Sequence, residues 1–118
     1  MGENSGSIGR SYASGKVEGV LGTVGGLVGG DRGGTIVDSY ATGAVRSDGA
    51  DNQFGAGGLI GKISDISEIS NSYARGQVSA TTAIGGLVGN EANREASITN
   101  SYWQEGIASS WAGFTGRS

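Results

Sequence analysis

Cysteine, histidine and proline are all missing from this 118-residue chain. Without cysteine or histidine there is no disulfide framework, zinc finger, haem ligation or thiol nucleophile. A nucleophilic triad built on histidine is excluded for the same reason. Without proline, and without glycine at every third position, a collagen-like helix is excluded. Charged residues are scarce at 16%, and the net charge of −3 leaves no basic footprint for nucleic acid. No apolar run approaches the roughly 18 residues of a membrane span, so no membrane insertion is expected and any anchoring must come from elsewhere. The opening Met1-Gly2-Glu3-Asn4-Ser5-Gly6 has no basic stretch followed by an apolar one, unlike a secretory signal.

What the chain has in excess is glycine: 25 residues, about three times the average share of roughly 7%. Glycine at that level fits a disordered linker, but 36% of the residues are hydrophobic and they recur at fixed places. Ser-Tyr-Ala begins at Ser11, Ser39 and Ser72, and a variant, Ser-Tyr-Trp, begins at Ser101. A second segment, Gly-Gly-Leu-Val/Ile-Gly, begins at Gly25, Gly57 and Gly85. The two series interleave, so both belong to one repeating unit. Ile8, Ile36, Ile69 and Ile98 each precede Ser-Tyr by three residues, and Val17, Val45 and Val78 follow it at a fixed distance. Length varies only between that valine and the Gly-Gly, and between the last glycine and the next isoleucine; these are the loops.

The pattern resembles the GLUG repeat of large bacterial surface and secreted proteins, over roughly residues 8 to 105. The resemblance rests on three copies of GGLVG or GGLIG in phase with three of SYAxGxV, and on the closing Asn100 to Trp103. It implies an extracellular structural or adhesive module with no catalytic residues to carry over.

The fold these features predict is all-β: a parallel β-solenoid of about three and a half coils. Residues 1–7 are read as a flexible leader, 8–105 as repeats with units starting near 8, 36, 69 and 98, and 106–118 as a C-terminal cap or tail. Three short strands per unit are expected, in the second unit from Ile36 to Ala41, around Val45, and from Phe54 to Ile60. Equivalent residues should stack about 4.8 Å apart. Ile36 then lies beside Ile69 and Ile98, Val45 between Val17 and Val78, and Leu59 between Leu27 and Leu87, while Tyr12, Tyr40, Tyr73 and Tyr102 form a column. Ser39, Ala41, Gly43 and Val45 share parity and are expected to face inward, with Tyr40 outward or in a bend. The Gly-Gly doublet is expected to supply positive φ and a close approach of walls. A β-sandwich of hairpins is the rival fold.

Candidates for chemistry are few. Asp48, Asp51 and Asn52 share the longest loop, where their oxygens suit either calcium or a solvated turn. Asp38, Asn71 and Asn100 are equivalent and suggest an amide ladder at a bend. The remaining acids, among them Asp31, Asp65, Glu68, Glu91 and Glu95, scatter through loops, so no catalytic pair, metal site or cofactor is expected. Trp103, Trp111 and Phe114 gather near the C-terminus as a hydrophobic cap or an aromatic ligand platform. Arg75 and Gln77 stand where the other units have Ser14 and Lys16 or Thr42 and Ala44, on a variable polar row that fits a solvent face or a glycan-binding face. The function expected is a stalk or spacer of a bacterial surface adhesin, not an enzyme. Its expected partners are flanking repeats of a larger parent. A glycan or host surface protein bound through a lateral face, the long loop or the C-terminal aromatics is the alternative. Self-assembly into a filament through open strand edges is a further one.

Overall fold

A computed structural model of the chain describes residues 2–19, 23–47, 55–80, 84–91 and 97–103. Every strand pairing in it is parallel, and every pair joins positions one repeat apart. The architecture is a parallel β-solenoid. A first strand, β1 (Glu3–Asn4), is followed by a series of five: β2 (Ser7–Gly9), β3 (Tyr12–Ala13), β4 (Val17–Gly19), β5 (Val24–Gly25) and β6 (Val28–Asp31). The series recurs as β7 (Thr35–Val37), β8 (Tyr40–Ala41), β9 (Val45–Ser47), β10 (Ala56–Gly57) and β11 (Ile60–Ile63). It recurs again as β12 (Glu68–Ser70), β13 (Tyr73–Ala74), β14 (Val78–Ala80), β15 (Ile84–Gly85) and β16 (Val88–Glu91). A new round opens with β17 (Ser97–Thr99) and β18 (Tyr102–Trp103). Like members stack into five sheets, ordered β1-β6-β11-β16, β5-β10-β15, β2-β7-β12-β17, β3-β8-β13-β18 and β4-β9-β14.

Among the described residues five strands per unit replace the three expected, because two apolar runs are each cut by a corner. The run from Ile36 to Ala41 breaks at Asp38, whose φ is +52°. The run ending at Ile60 divides at Gly58-Leu59 between β10 and β11, and Phe54 lies outside the described residues. The segment read as a flexible leader contributes β1, which pairs with β6 through Glu3–Gly30 and Asn4–Asp31.

The predicted ladders form. Ile69 is in register with Ile36 on one side and Ile98 on the other. Val45 sits between Val17 and Val78. Leu27 N–H donates to the Leu59 carbonyl, and Leu59 N–H to that of Leu87, both at 3.0 Å. Leu, Ile and Val from the β6, β7 and Leu27 columns fill the main core, while Val24, Val45, Ala56 and Val78 form a second, smaller one. Each fully buried Leu, Ile or Val contributes about 1.5–3 kcal/mol, so repetition of these columns supplies the driving force. Ser39, Ala41, Gly43 and Val45 are buried, and Thr42, Ala44 and Arg46 are exposed in alternation with them.

The corner before each Ser-Tyr explains part of the motif. Arg10, Asp38, Asn71 and Asn100 have φ of +48°, +52°, +50° and +45°. Asp and Asn tolerate this left-handed conformation better than most residues, and three of the four corners use them. The column expected as an amide ladder is therefore a column of backbone turns: among the described residues no side-chain hydrogen bond links Asp38, Asn71 and Asn100. Serine makes the ladder instead. Ser11 N–H donates to Ser39 Oγ (3.2 Å), Ser39 N–H to Ser72 Oγ (3.3 Å) and Ser72 N–H to Ser101 Oγ (3.3 Å). Each Oγ in turn donates to the carbonyl two residues back, as Ser72 Oγ does to Ser70 at 2.9 Å.

The Gly-Gly doublets serve close approach only; among the described residues Gly33 is the one glycine with positive φ. A Cβ on Gly58 would collide with the Gly86 carbonyl at the equivalent corner of the next unit and lie 2.7 Å from the Ala74 Cβ. The second glycine and the alanine of Ser-Tyr-Ala are thus complementary halves of one contact, which is why the two motifs travel together.

Candidate functional site

Alternation along β3, β8 and β13 sends each motif tyrosine away from the core, with the residue two positions on to the same side. The lateral face therefore carries a tyrosine column flanked by Ser14, Thr42 and Arg75, all exposed. Tyr12 and Tyr40 stack with centroids 5.2 Å apart and planes at 10°; Tyr40 and Tyr73 stack at 4.9 Å and 2°. Stacking of this kind occupies ring faces, so an interior tyrosine offers its edge and hydroxyl to solvent.

The column changes at its last rung. The backbone register continues from Tyr73 to Tyr102, yet among the described residues no stacked ring pair joins them. A cleft of about 250 Å³ opens there, lined by Tyr73, Ala74, Arg75, Tyr102 and Trp103. Trp103 stands where the other units have alanine, in register with Ala74. Its indole is partly buried against the main core and fills the space over Gly86, where any Cβ would strike it. Arg75 is exposed and has no ion-pair partner among the described residues.

At the opposite end, β2, β3, β4 and β5 have a strand neighbour on one side only among the described residues. Here lies a feature that the sequence reading missed. Asp31, placed in a loop by that reading, ends β6 and is fully buried. Its Oδ1 accepts a 2.8 Å hydrogen bond from Asn4 Nδ2, while Oδ2 is buried without a partner. The in-register position of the next unit is Ile63; comparing Gly30-Asp31 with Lys62-Ile63 was the signal that marked an inward position. Among the described residues no three Asp, Glu, His or Cys side chains group as metal ligands. Asp48, Asp51, Asn52, Trp111 and Phe114 lie outside the described residues.

Residues 52–79 match the model of a protein family described as the GLUG motif. The matched stretch carries one Gly-Gly-Leu-Ile-Gly and one Ser-Tyr-Ala, and the structure places the chain's other copies of both motifs in the same columns. The chain thus contains a GLUG-repeat region and is a repeat module. No curated protein and no solved structure matches the chain.

Proposed function

We propose that this repeat module is a non-catalytic stalk or spacer of an extracellular bacterial adhesin. The observation that supports the reading most is the in-register continuity of all five sheets. Such a body resists bending, and its length is set by the number of repeats. The one-sided strands β2 to β5 offer free edges to a flanking repeat of a parent chain. The same edges suit end-to-end self-association. A second reading, a module that binds a glycan or host protein through its lateral face, is favoured by the break in the tyrosine column at Tyr102.

Length is the direct test of the spacer. Duplicating residues 36–68 should lengthen the particle by one strand spacing, about 4.8 Å, in solution scattering. It should also raise the melting temperature, since each added repeat contributes another interface. An extended variant that melts lower and gains no length contradicts a modular spacer. Location is tested by antibody labelling of intact source cells: labelling before permeabilisation is expected, and labelling only afterwards would contradict an extracellular role.

A further inference from the structure

We propose that the end of the solenoid formed by β2, β3, β4 and β5 is an interface for one further coil of the same repeat, joined to this chain ahead of β1. The inference deepens the spacer reading and rests on it. Strand β1 points to the occupant. It lies in the column of β6, β11 and β16, in register with β6, and so holds the place of the last strand of a unit. Among the described residues the other four columns begin one coil later, at β2, β3, β4 and β5.

A glycine carries the argument further. Gly15, Gly43 and Gly76 hold one phase of the repeat. A Cβ on Gly76 would collide with the Gly43 carbonyl, and one on Gly43 with the Gly15 carbonyl. Each of these two glycines is required by the coil that precedes it. A Cβ on Gly15 would meet nothing within 4 Å, and its φ is not positive. Among the described residues nothing requires glycine there, and its conformational freedom is a cost to folding. A preceding coil with a carbonyl at the matching place supplies the requirement.

Hydrogen bonds and packing stop at the same edge. Tyr40 N–H donates to the Ser11 carbonyl at 3.1 Å and Thr42 N–H to the Ala13 carbonyl at 2.9 Å. The equivalent N–H groups of Tyr12 and Ser14 have no acceptor among the described residues. Ile8 and Leu27 are 9% and 7% exposed, whereas their equivalents Ile36 and Leu59 are fully buried. A hollow of about 450 Å³ lies beside them, lined also by Tyr12 and Ala13. A coil with isoleucine, Ser-Tyr-Ala, glycine and leucine in phase meets all of these groups. A second copy stacked end to end, with its β16 on β1, brings β17 and β18 against β2 and β3 but no described strand against β4 and β5.

Residues 67–87 grafted directly ahead of Met1 supply the coil, because Met1-Gly2 then follows Leu87 as Val88-Gly89 does. The graft is expected to raise the melting temperature and to slow amide exchange at Tyr12 and Ser14 by at least about tenfold. The same residues in scrambled order should do neither. Gly15→Ala should leave the melting of the native chain unchanged and remove the gain of the grafted one. A grafted chain that melts no higher than the native chain, or in which Tyr12 exchanges at the native rate, would overturn the interface. If duplication of residues 36–68 still lengthens the particle, the spacer reading stands without it. A native chain that sediments as a dimer on concentration, with Tyr12 protected, would assign this end to a second copy and overturn the joined coil.

Discussion

Removing one hydroxyl from the middle of the serine ladder should cost far more than removing one from its end. Ser72 is 1% exposed. Its Oγ accepts from Ser39 N–H at 3.3 Å and donates to the Ser70 carbonyl at 2.9 Å. In Ser72→Ala the Ser70 carbonyl keeps a bond from Asp38 N–H at 3.2 Å. The Ser39 N–H keeps nothing and stays buried. An orphaned buried donor costs about 1–3 kcal/mol, so Ser72→Ala should lower stability by about 2 kcal/mol. For a domain of this size that is roughly 10 °C in Tm. Ser11→Ala is the matched control. Its Oγ donates to the Gly9 carbonyl at 3.0 Å in an exposed setting, and among the described residues accepts from no amide above it. The expected cost is below about 0.5 kcal/mol, as for most surface changes. Thermal melts of the two variants, followed by circular dichroism, read the difference. Equal shifts would refute the argument that the inter-rung amide bond, rather than serine's local turn, carries the energy.

Three other changes probe separate parts of the fold. Arg10 occupies a left-handed corner that Asp or Asn fills elsewhere, so Arg10→Asn should raise stability by about 0.5–1 kcal/mol in urea unfolding; a loss would contradict the corner's role. Gly58→Ala drives a Cβ into the Gly86 carbonyl and should cost at least about 3 kcal/mol; a variant with native melting would show that the walls have room. Asp31→Val replaces a buried carboxyl whose Oδ2 has no partner by an apolar side chain like that of its register partner Ile63, and should stabilise by about 1 kcal/mol; a lower melting temperature would show that the Asn4 bond to Oδ1 outweighs the unpartnered oxygen.

The columns of the fold were legible because each repeat places the same side chain at the same phase. Ile36, Val45 and Leu59 needed only alignment with their equivalents to be stacked correctly. Corners were harder to read. A break in a strand depends on backbone conformation, and Asp38, Asn71 and Asn100 announce a turn without saying whether side chain or φ makes it. Serine's part was hidden for a similar reason: its hydroxyl bonds across rungs, and composition does not show which rung it reaches. The doublet Gly57-Gly58 fits either a positive-φ turn or a tight contact, and only the position of Ala74 decides. Asp31 was misplaced because an acid next to glycines reads as a loop residue, although its strand partner Ile63 is inward-facing. The cleft at Tyr102 combines two substitutions legible one by one, Trp103 for alanine and Arg75 for serine or threonine. Their convergence needed the register and the end of the ring stack.

The central claim is parallel, in-register stacking of successive units, and the absence of native cysteine makes it testable by cross-linking. Glu18 and Arg46 are exposed register partners on β4 and β9, about 4.8 Å apart by parallel-strand geometry and so within disulfide range. The variant Glu18→Cys with Arg46→Cys should oxidise to an intramolecular disulfide and melt higher than its reduced form. Glu18→Cys with Ala44→Cys, offset by two residues and about 8 Å apart on the same geometry, should not form the bond. Efficient oxidation of the offset pair, or failure of the in-register pair in a folded chain, would contradict the solenoid register on which the whole account stands.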